Sequence, residues 1–219
     1  MTNRTIGRIL SVLSRAIVQW KEPIVGVMSR LPGDKPFYVL ISTILSLRTQ
    51  DATTEKASLR LFGKVRTPQE MLTLSAGEIE RLIYPVGFYR TKAKNIIEVC
   101  RRLIDQYGGR VPRKLDQLLE LPGVGRKTAN LVVTVGYDDY GICVDTHVHR
   151  ISNRWGYVKT GTPEKTEVAL RQKLPRRYWK SYNDILVTFG QNLCHPVSPW
   201  CSKCPVERCC PRIGVKRSR

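Results

Sequence analysis

The ten residues LPGVGRKTAN, Leu121 to Asn130, place two glycines two apart and then set Arg126 and Lys127 at the mouth of the apolar run ANLVVTV. Glycines so spaced allow positive φ and leave backbone N–H groups uncovered by a Cβ. A turn of this kind joined to a helix N-terminus offers several donors to one anion, so Gly123, Val124 and Gly125 are candidate phosphate contacts, with Arg126 beside them. Helix hairpins also use glycine simply to turn. Lys127 falls in the first turn of the second helix, next to Arg126, and is a candidate amine nucleophile. The plainer reading is a surface lysine that happens to follow a turn.

A carboxylate stands in the second chemistry-bearing stretch, GICVDTHVHRISNRWG. Asp145 follows the apolar residues Ile142 to Val144, and Thr146, His147, His149 and Arg150 come after it. An aspartate here is a natural N-cap for the helix that THVHRISNRW predicts. It could equally stabilise a sugar cation or handle a proton beside an amine. The two roles are compatible.

Five of the seven cysteines crowd into CHPVSPWCSKCPVERCC, while Cys100 and Cys143 stand alone in apolar contexts and are expected as buried thiols. Crowding of this sort in a reducing compartment argues for metal rather than disulfides. Cys194, Cys201, Cys204 and either Cys209 or Cys210 could hold zinc or a [4Fe–4S] cluster. Spacing alone does not choose; the residues by themselves favour zinc slightly.

The elements that must position these groups read as helices. TPQEMLTL offers Thr67 as N-cap, Pro68 at N1 and Glu70 at N3, and SAGEIERLI repeats that capping box with Ser75 and Glu78. RTKAKNIIEVCRRLIDQYGG carries apolar residues at helical spacing and ends at Gly108 and Gly109. TPEKTEVALRQKL again opens with Thr before Pro. Alternating strand patterns are missing, so the chain is expected to be all-α with roughly ten helices. Lys plus Arg number 37 against 18 acids, a net charge of +19, which favours an anionic partner and nucleic acid first. There is no apolar run of about 18 residues, and Arg8 and Arg15 interrupt the N-terminal segment, so neither membrane nor targeting signal is expected and the cytoplasm is the default. The basic tail PRIGVKRSR is expected to be mobile.

LPGVGRKTAN followed by VDTHVHRISNR resembles the endonuclease III family of the helix-hairpin-helix DNA glycosylases, over a span from about Phe37 to Cys210. The resemblance implies two helical lobes with a DNA-binding cleft between them. One is a six-helix barrel holding the hairpin over 29–139; the other is an iron–sulfur lobe made of 1–28 and 140–219. It also implies that Lys127 attacks the sugar C1′ and that Asp145 is the essential acid. The related adenine glycosylases lack this lysine, so a bifunctional enzyme is expected. The family's C-x6-C-x2-C-x5-C cubane motif fits Cys194, Cys201, Cys204 and Cys210 and leaves Cys209 spare, reversing the preference for zinc. The loop HPVSPW departs from the family, offering only His195 where basic residues are usual.

For reading the duplex, the resemblance points to Arg48, where the family usually has glutamine, with Gln50 two residues on; Phe88 stands at the place of an apolar wedge. His147 joins them as a candidate DNA contact, and Arg90, Lys92 and Lys94 are either phosphate contacts or a solvated helix face. The expected activity is a monomeric, nucleoid-associated DNA glycosylase and AP lyase removing oxidised pyrimidines from double-stranded DNA with a damaged base or abasic site. The alternatives are a mismatch glycosylase acting on G·T or G·U pairs, which Arg48 makes reasonable, and a DNA-binding protein without catalysis.

Overall fold

The structure, a computed structural model, describes residues 1–20 and 23–219. Helices make up 64% of it, and no strand occurs among the described residues. The chain divides into two compact units: a central one, Ile24–Asp139, and a terminal one assembled from Met1–Pro23 and Tyr140–Arg219.

Helix α1 (Asn3–Ala16) belongs to the terminal unit. The central unit opens with α2 (Ile24–Met28), which packs on α3 (Lys35–Ser46) and α4 (Asp51–Lys64). That packing puts the division before α2, whereas the sequence reading placed it after residue 28. Every residue from Phe37 to Leu45 is buried, so α3 is a core helix that is apolar all round. Its hydroxyls do not break this pattern, because Ser42 and Thr43 each donate to a carbonyl one turn back at 2.6 Å.

Next come α5 (Pro68–Met71) and α6 (Ala76–Ile83). Ser75 and Glu78 form the expected capping box on α6. At α5 only half of one forms: the Thr67 hydroxyl accepts from the Glu70 N–H, but the Glu70 carboxylate reaches back to the N–H of Arg66, one residue earlier than a capping box requires. Helix α7 (Tyr89–Tyr107) runs to Gly108, whose φ of +60° closes it in the left-handed conformation that suits glycine. The hairpin follows as α8 (Leu115–Leu119) and α9 (Arg126–Leu131), the latter continued by a π-helical turn, Val132–Gly136, which packs on α3. The apolar run ANLVVTV is thus buried as expected, but with its last turn widened.

The terminal unit adds α10 (Thr146–Arg154), α11 (Pro163–Lys173) and α12 (Trp179–Asn192). Ile6, Ile9, Leu10 and Leu13 of α1 share one core with Trp155, Tyr182, Leu186 and Phe189. Tyr157 ties the two ends together, donating its hydroxyl to Asn3 Oδ1 at 2.7 Å across 154 residues of sequence. Cys100 and Cys143 are buried thiols, and burial pushes Cys100 up to about 12. The tail departs from its expected mobility. Arg219 donates its N–H to Pro199 O at 2.8 Å and accepts from Ser202 N–H at 2.9 Å. The Arg219 guanidinium and Lys203 Nζ each lie 4.8 Å from the centre of the Trp200 ring.

Candidate active site

The glycine turn has two different reasons for its two glycines. Gly123 sits at φ +75°, and a Cβ there would come within 2.7 Å of Asn95 Nδ2 on α7, so both backbone and neighbour require glycine. Gly125 is the N-cap of α9 and faces open space: no protein atom lies within 4 Å of where its Cβ would be. An anion could approach that backbone closely. Val124 is the anchor of the turn, with a buried side chain and its N–H bonded to Leu121 O at 3.1 Å; its amide is therefore not offered outward as the sequence reading supposed. Arg126 is exposed, and Lys127, the second residue of α9, is half-buried in the central unit.

Asp145 belongs to the terminal unit and is only 8% exposed. Its Oδ1 accepts from the N–H groups of both His147 and Val148 at 2.9 Å, so it is the N-cap of α10. The cap fixes the carboxylate at the N-terminal, positive end of the helix. His147 Nδ1 lies 3.1 Å from the Arg150 guanidinium, and since arginine only donates, that nitrogen accepts. Arg150 also donates to Cys194 O at 2.8 Å, linking the acid's helix to the cysteine loop.

Arg48 and Phe88 are brought together within the central unit. Both are non-glycine residues in the left-handed region, at φ +53° and +58°, and the Arg48 guanidinium lies 5.4 Å from the centre of the Phe88 ring. Phe88 is 62% exposed, so it is not a core aromatic. Gln50 is exposed as the N-cap residue of α4. Tyr84, 60% exposed, packs edge-on against Tyr89, and Arg90 lies over the Tyr89 ring. Lys94 is exposed, but Lys92 is buried and is not a phosphate contact. It shares the inner face of α7 with Ile96, Val99 and Leu103, so helical spacing already pointed inward.

Cys194, Cys201, Cys204 and Cys210 line one cavity together with Arg154 and Trp200. Cys209 is exposed and turns to a different surface depression, beside Arg8 and Ile9. Burial pushes the Cys194 and Cys210 thiols up and Cys204 to about 11, and each of the three also feels the charge of its cysteine neighbours. Against this, the buried Arg154 guanidinium donates to Cys194 Sγ and to His195 O, both at 3.0 Å. A buried cation aimed at a sulfur favours a thiolate there, which is the form that ligates metal. Among the described residues no three histidine, cysteine, aspartate or glutamate side chains are set as a single ion would need.

Residues 41–176 match the family described as HhH-GPD superfamily base excision DNA repair protein. The chain is 53% identical to endonuclease III of Thermotoga maritima over 175 residues, covering 80% of this chain and 82% of that protein. It belongs to the endonuclease III family of that superfamily. Endonuclease III of Bacillus subtilis is 39% identical, with 86% of each chain covered. Among solved structures, a trapped endonuclease III–DNA covalent intermediate (an estranged-adenine complex) superposes with a TM-score of 0.84 at 36% identity, covering 97% of each chain. A thermostable thymine-DNA glycosylase superposes at 0.80 and 25% identity, with 96% of this chain and 97% of that one covered.

Three contributors escaped the reading of this chain as a sequence. Arg154 carried only the signal of its place four residues after Arg150, which sets both on one face of α10. Tyr84 carried only the weak signal of an aromatic beside a proline. Thr49, between Arg48 and Gln50, carried none, because its partners lie 38 and 43 residues away.

Proposed function

We propose that the chain excises oxidised pyrimidines from duplex DNA and cuts the strand at the resulting site through a covalent intermediate on Lys127. The coarser activity, that of a base-excision repair glycosylase and AP lyase acting on DNA, follows from its family. In this reading Lys127 Nζ, as the free amine, bonds to C1′ while the glycosidic bond breaks and its electron pair leaves with the base. The amine sheds its proton as the sugar ring opens to a Schiff base, which makes the C2′ proton acidic. Removal of that proton expels the 3′ phosphate by β-elimination. Asp145 stabilises positive charge developing on the sugar and assists proton removal. Gly123, Gly125 and Arg126 hold a phosphate, and His147, Gln50, Arg48 and Phe88 contact the duplex around the extruded nucleotide. The chain acts as a monomer.

The single observation that carries the reading is the occurrence, in one chain of this family, of a half-buried lysine at the start of α9 and a buried aspartate capping α10. Side-by-side single-turnover assays on thymine-glycol, G·T and G·U duplexes test it. Excision of thymine glycol with borohydride-trapped protein is expected. Preferential release of thymine or uracil from the mismatches, in the manner of the thymine-DNA glycosylase, would replace the substrate assignment.

The cysteine cavity is proposed to hold a [4Fe–4S] cluster on Cys194, Cys201, Cys204 and Cys210. It would supply a structural pin for the segment 194–210 rather than any step of the reaction. Cys210→Ser is expected to abolish the broad visible absorption band of the purified protein and its bound iron, while Cys209→Ser keeps both. A colourless wild type loaded with zinc, or loss of iron in Cys209→Ser alone, would overturn the assignment.

A further inference from the structure

Lys92 is buried to 6% exposure with a cation at its end, on the face of α7 that otherwise presents Ala93, Ile96 and Val99 to the core. Packing there needs no charge; a methionine would fill the space without desolvating an ammonium. Burial draws the group down to about 8, so at neutral pH it keeps its proton and all three donors. Those donors are used on a single loop. Nζ donates to Leu45 O at 2.8 Å, Leu47 O at 2.5 Å and Thr49 Oγ1 at 3.2 Å, satisfying carbonyls that the end of α3 leaves without helical partners.

Thr49 carries the connection onward. Its hydroxyl accepts from Lys92 and from the N–H of Gly87 at 3.1 Å, and donates to Leu47 O at 3.3 Å, which uses its full capacity. The loop and the turn touch directly as well: a Cβ on Gly87 would lie 2.6 Å from Arg48 O. Within this contact sit the two left-handed residues, Arg48 and Phe88, with their side chains stacked. Left-handed backbone at two bulky residues is unfavourable and persists only where surroundings over-determine it. Here the surroundings are the lysine, the threonine hydroxyl and the glycine.

We propose that Lys92 is a positioning residue for duplex reading, clamping the 47–49 loop to the 86–88 turn so that Arg48 and Phe88 meet DNA as one preformed stack. The inference rests on the reading of Arg48 and Phe88 as duplex contacts. Lys92 itself touches no nucleotide; it removes the ordering that the two side chains would otherwise undergo when the base leaves the stack.

The test compares a thymine-glycol duplex with a single-stranded abasic oligonucleotide, which has no partner strand to be wedged. Lys92→Met is expected to slow single-turnover excision on the duplex by ~10–100-fold. It also damps the fluorescence rise of 2-aminopurine placed opposite the lesion, while borohydride trapping on the single strand stays within about twofold. Thr49→Val, which keeps the packing and removes only the hydroxyl, shows the same pattern more weakly. In an Arg48→Ala/Phe88→Ala background Lys92→Met adds nothing further. Equal losses on both substrates, or an undiminished loss in that background, would show Lys92 to be structural and overturn the proposal. If Phe88→Ala alone is silent on the duplex, the wedge reading falls. If Phe88→Ala is impaired while Lys92→Met and Thr49→Val are silent, the clamp falls and the wedge stands.

Discussion

Lys127→Ala forms no borohydride-stable adduct with either a thymine-glycol duplex or an abasic duplex, and its β-elimination rate falls by about 10³-fold or more. The expectation follows from chemistry that no neighbour can supply. Arg126, the adjacent cation, is a guanidinium that stays protonated and cannot form a Schiff base. Helix propensity does not oppose the change, because a half-buried lysine in the first turn of α9 gives way to a better helix former. DNA binding is expected to be retained, since the proposed phosphate contacts at Gly123, Gly125 and Arg126 are unchanged. Mass spectrometry of the trapped complex locates the bond; an adduct that persists in Lys127→Ala, or maps to another lysine, would sink the assignment.

Asp145→Asn is expected to separate the capping role of this side chain from its proposed catalytic one. Asparagine caps a helix about as well as aspartate, so its amide oxygen still accepts from the N–H groups of His147 and Val148 and stability shifts by no more than about 0.5 kcal/mol. The charge is lost, and with it the groundwork for a sugar cation and for proton transfer; excision is expected to fall by roughly 10²–10⁴-fold. Asp145→Ala loses the same activity and about 1 kcal/mol besides. Thermal melts and single-turnover rates on the two variants check the split. An Asp145→Asn protein of wild-type rate would leave the aspartate as a cap and nothing more.

The parts of the fold that were readable as sequence are those governed by neighbours a few residues apart. The caps at Thr67, Ser75 and Thr162 and the glycine stop of α7 all stand where expected, because each depends on one turn of chain. The same is true of Asp145 as the cap of α10. What escaped were residues defined by distant partners. As sequence, Lys92 reads as a phosphate contact or part of a solvated helix face; its spacing points inward, but the Leu45 and Leu47 carbonyls that receive its charge lie 47 and 45 residues away. The tail looked unstructured because the indole of Trp200 and the carbonyl of Pro199 that receive Arg219 lie outside its own pattern. Cys209 and Cys210 could be told apart by spacing only through the family's motif, whereas the folded chain turns one inward and the other out.

The split composition of the terminal unit dictates how the protein is born. Helix α1 is made before α10 and α12, yet the side chains of Ile6, Ile9, Leu10 and Leu13 have their packing partners in those two helices. Asn3 must likewise wait for Tyr157. The contiguous central unit can close in the meantime. The proposed nucleophile, Lys127, is therefore placed before the proposed acid, Asp145, is fixed, and the amphipathic face of α1 stays bare until α10 and α12 are made. That interval is when a holdase would find its handle, and when a message cut short before α10 would yield a product unable to bury α1.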